Sequence, residues 1–190
     1  STGSYGFSVT ANASGSIVTG GAYNDTINLG AGLDDVVLLA ASGNGDDTIN
    51  NFDLTSKDDL DIQALITGTI TGDMDAGGTD DGDLDTDTIV GTGRAAVVDN
   101  GVQIILNESG TLAASDIAVA AANGKLVLAD NAEAVVLVAA ATTDTDFNVY
   151  YISDTDAGGG QTYAADLVAT VDLDGTHTVA ELAIGDLIIA

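Results

Sequence analysis

The sequence predicts an all-β protein in which a short coil of parallel strands leads into a β-sandwich or an irregular β-solenoid. Three observations carry this expectation. Proline is absent while Gly occupies 24 of 190 positions, so the turns are left to Gly, Asn and Asp, the residues that tolerate positive φ. Nine-residue units rich in Gly and Asp recur near the N-terminus. Beyond them, short aliphatic runs alternate with Asx and Gly turn signals at strand-like spacing.

The repeat comes first. Gly20-Gly21-Ala22-Tyr23-Asn24-Asp25-Thr26-Ile27-Asn28 runs directly into Leu29-Gly30-Ala31-Gly32-Leu33-Asp34-Asp35-Val36-Val37. After four extra residues, Leu38 to Ala41, follows Ser42-Gly43-Asn44-Gly45-Asp46-Asp47-Thr48-Ile49-Asn50. A faded copy precedes them, with Ser16 in the Asp place and Val18 in the aliphatic place. In each unit the Gly-rich half can turn tightly and expose carbonyl oxygens. An Asp closes the turn, and a short strand then points one aliphatic inward. Two units make one coil, and turns on the same edge stack. Ordinary Asn/Asp/Gly hairpin turns use the same residues, but three copies in phase favour the repeat.

The acidic residues have their own bias. Of 30 acidic residues 27 are Asp, against the three cations Lys57, Arg94 and Lys125, and the formal charge is −27. A halophilic surface would draw on Glu as well. Asp instead holds its carboxylate close to the chain, where several can converge on one hard cation, and calcium is the natural candidate.

These units match the nonapeptide pattern G-G-x-G-x-D-x-U-x. The stretch Asn51-Phe52-Asp53-Leu54-Thr55-Ser56-Lys57-Asp58-Asp59-Leu60-Asp61-Ile62 is similar to the segment that closes such a roll. On these residues, over roughly 14 to 66, the chain resembles the RTX (hemolysin-type) calcium-binding proteins. The resemblance implies a calcium-binding parallel β-roll, folding outside a bacterial cell after type I export. It implies Asp25, Asp34 and Asp47 as Ca2+ ligands, with Gly21, Gly30, Gly32, Gly43 and Gly45 as turn carbonyl donors and Asp53, Asp58 and Asp61 as cap ligands. Tyr23, Leu29, Ser42 and the four-residue insertion depart from the pattern.

Residues 1–66 are thus read as an N-terminal strand, a β-roll and its cap, and residues 67–190 as an all-β C-terminal module. This module opens with an acidic loop, 72–87. There the alternation Asp83, Asp85, Asp87 is similar to an EF-hand opening, but Gly is missing at the sixth place and Arg94 stands where the bidentate Glu belongs. The loop is a second calcium locus or a solvated acidic segment. Asp99-Asn100-Gly101 between Ala95–Val98 and Val102–Leu106 predicts a hairpin, and Asn123-Gly124 repeats the device before Lys125 to Ala129. Further strands are expected at Val135–Ala139, Phe147–Ile152, Tyr163–Val171 and Asp186–Ile189. Short helical turns are expected near Leu112–Ile117 and Val179–Leu182. The tail is similar in overall pattern to C-terminal modules of secreted and surface-layer RTX proteins, which implies an uncleaved secretion signal at the C-terminus.

Several function classes are excluded or disfavoured. The charge balance leaves no electrostatic case for nucleic acid or an anionic membrane. The longest apolar run, Ala134 to Ala141, is far below the ~20 residues of a spanning helix. Without Cys there is no thiol chemistry. The single His, His177, sits between two Thr and reads as an exposed turn residue, so no enzyme is expected. Ser1 at the start suggests a processed or excised product. The expected function is a secreted calcium-binding structural protein that assembles with copies of itself into a surface layer or extracellular filament. The alternative is a calcium-triggered folding and export module of a larger toxin, hydrolase or adhesin. A cell-surface polysaccharide is a further candidate partner, with Tyr150, Tyr151 and Tyr163 as its stacking set.

Overall fold

The computed structural model describes residues 5–55, 58–66, 86–89, 95–96, 101–107, 126–127, 131–154 and 163–188. Over these residues the chain is all-β, with 3-10 turns at Ala41–Gly43, Val179–Glu181 and Ile184–Asp186.

Strands β1 (Ser8–Thr10), β2 (Ser16–Thr19), β3 (Thr26–Asn28), β4 (Asp34–Val37), β5 (Asp47–Phe52) and β6 (Asp59–Asp61) alternate between two sheets. The odd strands pair in parallel in one sheet and the even strands in parallel in the other. Ser8 lies opposite Thr26 and Ser16 opposite Asp34, each pair eighteen residues apart, the length of two nine-residue units. Thr26 lies opposite Thr48, twenty-two residues on. The four extra residues, Leu38 to Ala41, are absorbed in the connection that ends in the Ala41–Gly43 turn, and the strand register survives them.

Packing explains why this winding is stable. The aliphatic place of each unit, Ile27, Val36 and Ile49, is fully buried between the sheets beside Leu29, Leu38 and Leu60. On the strand that closes a unit, Asn50 Nδ2 donates to Asn28 Oδ1 at 3.0 Å and Asn28 Nδ2 donates to the Val9 carbonyl at 3.2 Å, a ladder running across three coils. The turns press together so closely that a Cβ on Gly32 would collide with the Gly15 backbone in the next turn. Gly45 combines a φ of +83° with a Cβ position 2.6 Å from the Tyr23 carbonyl carbon, so glycine is required twice over.

The C-terminal strands close this stack. Strands β11 (Glu133–Ala139), β12 (Asp146–Asp154) and β13 (Tyr163–Leu173) form an antiparallel meander, and β13 then pairs in parallel with β5. Strand β14 (Leu187–Ile188) pairs in parallel with β6. Both sheets of the coil are therefore extended by the last quarter of the chain. Residues on both sides of position 66 share one core, in which Val135, Phe147, Val149 and Val171 join Ile27 and Ile49. Where β13 meets β5 the register slips by one residue, and Asn51 takes the left-handed conformation (φ 60°) that such a bulge requires.

At the far edge of the large sheet, β9 (Gly101–Asn107) pairs in parallel with β11, and β7 (Thr86–Ile89) with β9. Strands β8 (Ala95–Ala96) and β10 (Leu126–Val127) form a separate parallel pair. The hairpin expected around Asp99-Asn100-Gly101 is not formed: β9 has β7 and β11 as its neighbours, and β8 pairs with β10. Parallel pairing to flanking strands wins there over the local turn signal. The expected helical turn at Leu112–Ile117 and the Asn123-Gly124 turn lie outside the described residues.

Candidate functional site

Each repeat Asp stands at the end of a turn, immediately before or at the start of its strand, and the coil brings these residues into two stacked pairs. On one edge, Asp25 Oδ1 accepts from the Phe7 N–H at 2.8 Å, and the Asp25 N–H donates to Asp47 Oδ1 at 3.0 Å. On the other, the Asp34 N–H donates to Asp58 Oδ1 at 3.0 Å. The second oxygen closes the residue's own turn. Gly21 N–H donates to Asp25 Oδ2, Gly30 N–H to Asp34 Oδ2 and Asp53 N–H to Asp58 Oδ2. Asp therefore suits these places better than Glu, since its short arm reaches a backbone N–H four or five residues back.

These carboxylates are deeply buried: Asp25 is 2% exposed, Asp34 0%, Asp47 1% and Asp58 0%. Burial pushes the Asp47 carboxyl up from 3.8 to about 6, with the neighbouring Asp25 charge adding to it and the backbone N–H of Asp25 opposing. Burial also raises Asp58, helped by the charges of Asp34 and Asp53. The described residues include no Lys or Arg. Four carboxylates stacked out of water on N–H donors are a setting that a bound cation would favour. The buried Asp34 Oδ1 has no hydrogen-bond partner, which leaves one hard oxygen free to ligate. Hard oxygens at this density suit calcium.

Of the other expected ligands, Gly21 and Gly30 lie in the same turns and give their N–H groups to Asp carboxylates. Gly32 and Gly45 serve the close stacking of turns, and Gly43 sits in the 3-10 turn with its N–H on the Ala40 carbonyl. Asp61 lies apart from the two stacks, half-buried on β6, and its Oδ1 caps the Gln63 N–H at 3.0 Å. Asp83 and Asp85 lie outside the described residues, and Asp87 is placed on β7 only by its backbone. The polysaccharide reading loses part of its set, because Tyr150 is 1% exposed and offers no face for stacking.

Two features escaped the sequence reading. Asn44, fully buried, links the inserted turn to the C-terminal meander: its Oδ1 accepts from the Leu39 N–H at 2.7 Å, and its Nδ2 donates to the Val168 carbonyl at 2.8 Å and Asp47 Oδ2 at 3.2 Å. Only its place beside the repeat Asp could have hinted at this. His177 is not an exposed turn residue, being 8% exposed. Its Nδ1 lies 2.7 Å from Glu181 Oε2 and its Nε2 3.6 Å from Asp53 Oδ1. The carboxylate beside it raises the His177 pKa, while that of Glu181 falls in turn.

No protein-family model matches the chain, and neither a curated protein nor a solved structure matches it.

Proposed function

We propose that this chain is a calcium-stabilised structural protein of a bacterial exterior, built on a short RTX-type β-roll, with no catalytic role. The observation that carries the reading is the pair of buried carboxylate stacks, Asp25 with Asp47 and Asp34 with Asp58, in which Asp34 Oδ1 is buried without a hydrogen-bond partner. Calcium supplies there the positive charge that turns neighbouring carboxylates from mutual repulsion to shared attraction. The eighteen-residue register supports the β-roll, since it is the length of two nonapeptides. The alternation of β7, β9 and β11 with β8 and β10 supports an irregular β-solenoid in the C-terminal module.

Assembly with further copies is supported by the first coil. Among the described residues β1 and β2 are the terminal strands of their sheets, and Tyr5, Phe7 and Ile17 around them are 83%, 42% and 74% exposed. An apolar strand edge of this kind recruits another strand. The same edge accepts a preceding coil of one longer polypeptide, which is the export-module reading. Circular dichroism and sedimentation of the full chain, with and without chelator, test both parts. The expected result is calcium-dependent ordering and calcium-dependent polymers. Equal folding in chelator sinks the calcium reading, and a monomer at every concentration in calcium transfers the edge to the module reading.

A further inference from the structure

A second group of ligating side chains lies where the C-terminal loop meets the coil. Asp174 and Thr176 follow β13, and the Asp174 N–H donates to the Phe52 carbonyl at 3.1 Å, which lays this loop against the Asp53–Thr55 turn. The two turns are built alike. Asp53 Oδ1 accepts from the Thr55 N–H and hydroxyl, each at 2.7 Å, and Asp174 Oδ1 from the Thr176 N–H and hydroxyl at 2.9 and 2.8 Å. Both carboxylates are thereby fixed in orientation. His177 stands over them, and one ligand atom from each of Asp53, Asp174 and His177 lies within 4.8 Å of the others.

The histidine is prepared for a metal in three respects. Its side chain is 10% exposed, so it is nine-tenths withdrawn from water. Glu181 Oε2 lies 2.7 Å from Nδ1 and orients the ring so that Nε2 faces the Asp53 carboxylate. That Nε2 has no hydrogen-bond partner among the described residues, and its 3.6 Å to Asp53 Oδ1 is too long for a hydrogen bond. It is the separation expected of two ligands held at ~2.1 Å from a common ion. The two carboxylates carry the two negative charges that balance one divalent cation. Imidazole favours borderline metals over calcium.

We propose that Asp53, Asp174 and His177 form a zinc-type divalent transition-metal site, separate from the calcium stacks, that fastens the C-terminal loop to the last turn of the coil. Glu181 is its positioning residue. Binding forms one Nε2–metal and two carboxylate–metal bonds, with water completing the tetrahedron, and any proton on Nε2 is released to solvent. The assignment stands on these residues and not on the calcium reading.

His177 is the only histidine of the chain, so its ring protons are a single reporter. The test is a titration of the full chain with Zn2+ and, separately, Co2+ in saturating calcium, read by proton NMR of His177 and by cobalt visible absorption. The expected result is that the His177 signals convert at one equivalent, with cobalt bands of a four-coordinate site. The cobalt bands disappear in His177→Gln, both responses disappear in Asp174→Asn, and Glu181→Gln weakens binding by about 10- to 100-fold. Unmoved His177 signals in the wild-type chain at one equivalent overturn the site even if the variants fail to fold. Cobalt binding retained by both folded variants overturns it as well.

Discussion

At the scale of single residues, Asp34 is where the proposed calcium binding is most open to test. Its Oδ2 takes the Gly30 N–H at 2.9 Å, whereas its Oδ1 is buried without a hydrogen-bond partner. In water such an oxygen would be solvated, and leaving it bare costs roughly 1–3 kcal/mol. Substituting Asp34→Asn keeps the shape and the oxygen that closes the turn, but removes the charge a calcium ion needs. The expected outcome is a half-saturating calcium concentration raised about tenfold or more, equal to about 1.4 kcal/mol per tenfold step. Calcium titration followed by circular dichroism reads it. An unchanged midpoint would remove Asp34 from the ligand set. His177 teaches the complementary lesson at this scale. Its neighbours in sequence, Thr176 and Thr178, describe an exposed turn, but its ring is buried 3.6 Å from Asp53, more than a hundred residues away.

At the scale of elements, the short strands of residues 8–61 were legible because their order is local. A nine-residue spacing of Asp and aliphatic places fixes where each turn ends and which side chain faces inward, and the register of β1 with β3 and of β2 with β4 follows from two such units. The closing of the stack was not legible. Nothing near Leu60 or Ile49 announces that β13 and β14 will lie beside them, nor that Asn44 will reach the Val168 carbonyl 124 positions on. The hairpin at Asp99-Asn100-Gly101 failed for the same reason, since a turn signal carries no information about strands that outcompete it. The stacking of turns does make a local prediction. Gly32→Ala pushes a methyl group into the Gly15 backbone and should cost about 1–3 kcal/mol, as overpacking does. Gly43→Ala meets nothing within 4 Å and, by comparison, should stay within about 0.5 kcal/mol of wild type. Thermal unfolding of the two variants in calcium checks the contrast, and equal losses would mean that the turns are not held this close.

At the scale of the whole molecule, the charge of −27 and the buried stacks give the metal-free protein an unusual dependence on pH. Asp47 has a folded pKa of about 6 above its ordinary 3.8. Its contribution to stability is therefore fully present below 3.8 and lost as the pH rises through 6. Asp58, also raised by burial, acts in the same direction. So does His177, raised by Glu181, whose contribution is present below 6.5 and lost as the pH passes its higher folded value. Asp174, lowered by its bonds to Thr176, and Glu181, lowered by His177, oppose this only in acid, below their ordinary 3.8 and 4.5. Between pH 4.5 and about 6, and again above 6.5 as His177 gives up its proton, the chelated protein should thus lose stability as pH rises, and long-range repulsion among its carboxylates adds to the loss. On the proposed function calcium should reverse the trend, because its ligands must be ionised and its binding strengthens as they give up protons. Thermal midpoints measured across that range in chelator and in millimolar calcium should slope in opposite directions. Parallel slopes would mean that protons and calcium do not compete for the same buried oxygens, and that the stacked aspartates are neutralised by something other than calcium.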